Sequence, residues 1–134
     1  MIYFLDTNIC IFFLKNTNRN LCDKLLEIPT GFIKIPSMVA AELLYGAEKS
    51  ARREHNLGIM KSFLSIYEII PFDEQAAGHY SQIRSGLERI GSIIGGNDII
   101  IAATALAGNG VLVTNNTREF SRIKSLQTED WTVG

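Results

Sequence analysis

The chain has 134 residues, 46% of them apolar and 20% charged, with three prolines. That is the length of one domain, 1–134, able to bury a core without staples, and the composition excludes a disordered chain. Thirteen basic residues against fourteen acidic ones give a net charge of −1, so bulk charge does not mark a nucleic-acid binder and any polyanion must be held by local basic patches, a metal or a partner.

Ile2–Leu5 reads as a short buried strand, Asp6-Thr7-Asn8 as the turn after it, and Ile9–Lys15 as a helix. Asn16–Asn20 is a polar loop and Leu21–Glu27 a short helix stopped by Pro29. Phe32–Ile35 is a second strand ended by Pro36, and Ser37 suits the N-cap of a helix running to about Ser50. Helical spacing continues over Ala51–Ser65, and Tyr67–Ile70 is a third strand closed by Pro71. Asp73 caps a long helix through Ile90, followed by the glycine-rich loop Gly91–Asn97. Asp98–Ala107 is a helix apolar almost all round, hence buried. Gly108 and Gly110 frame a tight turn into a fourth strand, Val111–Val113. Asn115 and Asn116 begin a turn, Thr117–Arg122 a short helix, and Trp131 is expected to pack on a last edge strand.

Short β-branched strands alternating with helices predict an α/β fold with a central, mainly parallel sheet flanked by helices. Cys10 and Cys22 show no zinc spacing and read as ordinary thiols of a reducing compartment. The chain opens on a strand-like segment without a basic leader. No apolar run reaches the ~18 residues of a membrane span. A cytoplasmic protein is expected.

Three lone carboxylates stand in the three most apolar stretches. Asp6 sits between Met1–Leu5 and Ile9–Leu14, Glu42 between Met38–Ala41 and Leu43–Tyr45, and Asp98 before Ile99–Ala103. No Lys or Arg occurs from Met1 to Leu14, from Ile35 to Glu48 or from Ile90 to Thr117. An unpaired buried charge costs several kcal/mol or more, so such carboxylates are paired, protonated or metal-bound. Without local cations, a shared hard cation is the leading explanation, and an acidic metal pocket points to phosphoryl chemistry. Asp6 and Asp98 each also suit a helix N-cap, and Asn116 a turn. Glu42, mid-helix, has no capping role, though a narrow polar stripe would solvate it. In a parallel sheet, sites form beyond the carboxyl ends of the strands, which is where Asp6 and Thr114–Asn116 fall.

Phe4-Leu5-Asp6-Thr7-Asn8-Ile9 resembles the opening motif of PIN-domain nucleases, particularly the VapC-type toxins of toxin–antitoxin pairs. Ala41-Glu42-Leu43-Leu44-Tyr45-Gly46-Ala47 is similar to their second motif and Asn97-Asp98-Ile99-Ile100-Ile101-Ala102 to their third. Leu112–Phe120 resembles the fourth, and Glu129-Asp130-Trp131 a common VapC ending. The likeness implies a three-layer PIN-like fold with an acidic pocket binding Mg²⁺ or Mn²⁺ through Asp6, Glu42 and Asp98, with Asn116 as a fourth catalytic position. Many PIN domains carry Asp where this chain has Asn116. An amide brings no charge, which leaves one or two metals open, and Glu119 is placed to restore the missing acid. Thr7, Asn8 and Thr114 are expected to fix the carboxylates by hydrogen bonds.

The activity implied is metal-dependent endoribonuclease cleavage leaving a 5′-phosphate and a 3′-hydroxyl, acting on structured RNA such as tRNA. Arg118, Arg122 and Lys124 are candidate phosphate contacts, as are Lys15, Arg19 and Arg52-Arg53, though any one of them taken alone reads first as ordinary solvated charge. A VapB-type antitoxin and a homodimer are implied as partners, with the helices around Leu43–Met60 and Ser62–Leu64 as a candidate dimer face. His55 and His79 lie outside the acidic motifs, and His79 reads as structural. The competing readings are a non-catalytic RNA- or antitoxin-binding module on this fold, and a small Mg-dependent phosphatase. The phosphatase pattern wants a second aspartate where Asn8 stands and a lysine after the fourth strand, where none follows.

Overall fold

Residues 1–134 are described by a computed structural model. Five strands form one sheet: β1 (Tyr3–Leu5), β2 (Ile33–Pro36), β3 (Glu68–Ile70), β4 (Val111–Val113) and β5 (Thr128–Glu129), in the order β3-β2-β1-β4-β5. Every pairing is parallel, with Tyr3 opposite Ile33 on one side and Val111 on the other. Seven helices flank the sheet: α1 (Thr7–Lys15), α2 (Arg19–Glu27), α3 (Ser37–Glu48), α4 (Arg53–Leu64), α5 (Glu74–Arg89), α6 (Gly96–Ala107) and α7 (Thr117–Phe120). Covering both faces explains why β4 reads Val-Leu-Val without a polar break, all three residues being buried. The core gathers Phe4, Leu5, Ile35, Ile99, Ile101 and Leu112. No helix is long and apolar enough to cross a membrane.

Several boundaries differ from the sequence expectation. Ser37 is the first residue of α3 rather than its N-cap, because Pro36 holds that position. The Ser37 hydroxyl instead accepts a hydrogen bond from the Phe72 N–H at 3.3 Å. The helical spacing over Ala51–Ser65 is interrupted: α3 ends at Glu48 and α4 starts only at Arg53. α2 starts early, at Arg19, because the Asn18 side chain accepts from Leu21 N. Trp131 does meet the last edge strand, its Nε1 donating to Glu129 of β5 at 2.8 Å, and it also packs edge-on against Tyr3 of the central β1, ring centroids 5.1 Å apart. Leu43, Phe63 and Leu64 of the expected dimer face are spent inside the core, leaving Tyr45 and Ile59 exposed there.

The turn from α6 to β4 has a steric requirement. A Cβ on Gly108 would lie 2.5 Å from Phe4 Cζ, and one on Gly110 2.5 Å from Phe4 Cε2. Two glycines therefore let the Phe4 ring lie directly on the turn, setting β4 beside β1. The chain moves outward from β1 through β2 to β3 on one side and through β4 to β5 on the other. The crevice at the carboxyl ends of β1 and β4 is thus the topological switch point, where ligands bind in open parallel sheets.

Candidate active site

Asp6 follows β1 directly at that switch point, and Thr114 follows β4. The two possible roles of Asp6 coincide in one side chain. As N-cap of α1 its Oδ1 accepts from Thr7 N at 2.7 Å, while Oδ2 accepts from the Thr114 hydroxyl at 2.7 Å. Asp6 is only 6% exposed. Burial raises its pKa above the usual carboxylate value against these two hydrogen bonds, and Glu42 and Glu119 add repulsion.

Glu42, half-buried on α3, accepts from the Thr7 hydroxyl at 2.6 Å, which ties α3 to α1. Asp98 is the third residue of α6, whose N-cap is Gly95, so the capping reading of Asp98 does not hold. Its carboxyl is pushed up to about 7, first by burial, then by a hydrogen bond to Glu119 and by repulsion from Glu119, Asp6 and Glu42. Glu119 is held low, chiefly by the Asn116 amide, whose Nδ2 donates to Oε2 at 2.9 Å. The two carboxyls are thus pushed in opposite directions, Asp98 upward and Glu119 downward.

Asp6, Thr7, Asn8, Glu42, Asp98 and Asn116 line one cleft of about 170 Å³ with no apolar residue. Side chains from positions more than a hundred residues apart therefore meet, as the parallel-sheet topology allows. None of the four ion pairs in the chain involves Asp6, Glu42, Asp98 or Glu119. The repulsion is eased instead by helix ends: Asp6 caps α1 and Asp98 lies in the first turn of α6, both on the positive side of the helix dipole. Glu119 accepts a hydrogen bond from Asn116 and lies near Asp98 and the Gly95 backbone N–H. The Gly95 contact was not foreseeable from residue type, because it is a backbone donor.

Whether these residues suit a divalent cation is a question of donor chemistry. Hard carboxylate oxygens crowded together without a basic partner match Mg²⁺ or Mn²⁺. No three of the acids close on a common point as they stand. Binding therefore requires these side chains to draw together around the ion or waters to bridge the gaps, as Mg²⁺ allows by keeping part of its hydration shell.

The basic candidates separate. Arg19 pairs with Asp23 at 3.7 Å and Arg53 with Glu48 at 2.5 Å, so both serve local contacts. Arg118 is exposed on α7, and Arg122 donates to the Ile93 carbonyl at 2.9 Å. Neither histidine lines the acidic cleft. His79 is half-exposed on α5 rather than part of the core. Cys10 is fully buried and its thiol is pushed up by burial, so it is inert.

Comparison with known proteins agrees with this geometry. The family model for the PIN domain matches residues 3–126. The chain is 44% identical to ribonuclease VapC2 of Rickettsia felis, over 98% of each chain. It is 43% identical to the tRNA(fMet)-specific endonuclease VapC of Shigella flexneri, over 96% of this chain and 97% of that one. Among solved structures it is similar to DNA-bound VapBC from Salmonella typhimurium, with a TM-score of 0.92, 42% identity and 98% of each chain covered.

Proposed function

The chain belongs to the PIN-domain family, and we propose that it is a VapC-type endoribonuclease toxin, with Asp6, Glu42 and Asp98 as the ligands of a Mg²⁺ or Mn²⁺ ion. The observation that carries this is the convergence, at one switch point, of acids from separate motifs with no cation among them. The substrate class is structured RNA, with tRNA the first candidate because a relative 43% identical carries the name of a tRNA(fMet)-specific endonuclease. A VapB-type antitoxin is the partner, supported by the similarity to a toxin held in a VapBC complex.

When bound, the divalent ion supplies charge neutralisation at the scissile phosphate and acidification of the attacking water. The protein's own groups do the positioning. Thr114 and the Thr7 N–H hold both oxygens of Asp6, so its orientation is set before substrate arrives. The Thr7 hydroxyl holds Oε1 of Glu42, leaving the other oxygen to take a proton from water. Asp98 must be ionised to act as a ligand, and Asn116 fixes the neighbouring Glu119 carboxylate by a hydrogen bond at 2.9 Å. Asn116 thus contributes a donor in place of a fourth charge. Water attacks phosphorus in line, the 3′-oxygen leaves and gains a proton, and the products carry a 5′-phosphate and a 3′-hydroxyl.

Purified Asp6→Asn protein incubated with tRNA and Mg²⁺ is expected to lose at least about 10²-fold in cleavage rate while keeping the wild-type circular dichroism spectrum. Wild-type rates in that variant exclude the mechanism.

A further inference from the structure

A second concavity, of about 430 Å³, lies between α5, the end of α6 and the segment after α7, a volume in the range of small-ligand pockets. Its floor is aliphatic, built from Ile83, Leu87, Ile90, Leu106 and Ile123. His79, Arg122 and Lys124 line it, and no carboxylate does. In a chain with more acids than bases, that local balance favours an anionic occupant. Ile90 is 71% exposed on this floor, so covering it removes apolar surface from water.

Arg122 lines the trough on the segment that leads away from the acidic cleft, where Asn116 stands. Its Nη1 is fixed on the Ile93 carbonyl, in the loop leading to α6, and it follows by three residues Glu119, which Asn116 of the cleft holds by a hydrogen bond. One N–H committed to backbone orients the guanidinium and leaves its other donors for a phosphate. The sequence offered only half of this, since Arg122 and Lys124 stand out as charges but the aliphatic floor comes from three separate segments.

We infer that the trough is a substrate subsite, taking an unstacked nucleotide of single-stranded or loop RNA beside the scissile phosphate. Arg122 and Lys124 hold its backbone phosphate, and the aliphatic floor covers one face of the base. This rests on the ribonuclease reading and adds where the strand lies. With no aromatic platform and few groups to read a base edge, the subsite selects for a nucleotide free to leave its stack, which single-stranded and loop RNA supplies.

The test uses fluorescein-labelled initiator tRNA, its binding followed by anisotropy in EDTA and its cleavage by steady-state kinetics in Mg²⁺. Ile90→Glu is expected to weaken binding about tenfold and raise KM by the same factor with kcat within about twofold. Ile90→Met is expected to restore both. Arg122→Ala is expected to weaken binding and reduce the slope of log affinity against log salt by about one, whereas Lys61→Ala changes neither. Unchanged RNA affinity in Ile90→Glu and Arg122→Ala overturns the subsite, as does equal loss in Lys61→Ala. If Ile90→Glu spares RNA but weakens a VapB-type antitoxin peptide, the occupant is that peptide and the inference fails. Wild-type protein that cleaves no RNA refutes the ribonuclease reading instead, and the EDTA series still decides the trough.

Discussion

Asp98→Asn is expected to make the metal-free protein more stable while abolishing cleavage. Asp98 holds its proton up to about 7, against 3.8 ordinarily, because it is half-buried and faces Glu119, Asp6 and Glu42. Its pKa is raised in the folded state relative to the unfolded chain. Below about pH 4 both states are protonated and the site carries no penalty; as pH rises toward 7 the unfolded chain gives up the proton first, and stability falls; above 7 the full penalty stands. At about 1.4 kcal/mol per pKa unit, the displacement sets a ceiling of about 4 kcal/mol. Solvent screening of a half-exposed carboxyl reduces this to roughly 1–2 kcal/mol. For a chain of this size that is a rise in Tm of roughly 3–8 °C. An amide keeps the hydrogen-bond donor toward Glu119 and removes the charge. The assay is thermal unfolding in EDTA at pH 4.5 and pH 8, repeated with Mg²⁺. The gain should be full at pH 8, reduced to about a quarter at pH 4.5, and offset in Mg²⁺, which stabilises the wild type more than the variant. Equal or lower Tm for Asp98→Asn at pH 8, or a gain of the same size at both pH values, refutes the reasoning that repulsion in the cleft is the dominant local cost.

Asn116→Asp removes the donor that holds Glu119 and adds a charge, so Tm in EDTA at pH 8 is expected to drop and its rise on adding Mg²⁺ to grow; calorimetry that finds no larger metal effect contradicts this placement of the amide. Thr114→Val deletes the hydroxyl that donates to buried Asp6 and accepts from Asn116 N at 3.0 Å, at a cost of about 1–3 kcal/mol in denaturant unfolding and with a lower kcat. Gly110→Ala drives a methyl into the Phe4 ring and is expected to cost about 1–3 kcal/mol, with Phe4→Leu in the same chain recovering part of it; an unaffected midpoint in the single variant shows that the ring can move away.

Much of the site was legible because the carboxylates interrupt long apolar runs without basic neighbours. That pattern singles out Asp6, Glu42 and Asp98 on desolvation cost alone, and the strand–helix alternation places Asp6 and Thr114 at strand ends. Local chemistry also marked the caps at Asp73 and the glycines before β4. What linear order left open was decided by through-space partners. Asp6 was readable as a cap or a ligand, and the fold gives its two oxygens to two different donors, one of them 108 residues away. Asp98 was equally ambiguous until α6 began at Gly96 and left it inside the first turn. The direction of the Asn116 amide, the opposed shifts of Asp98 and Glu119, and the trough that Arg122 borders arise only when separate segments are packed together. Sequence periodicity reports which face of an element avoids water; which oxygen meets which hydrogen depends on strand order and helix start, and those are properties of the assembled sheet.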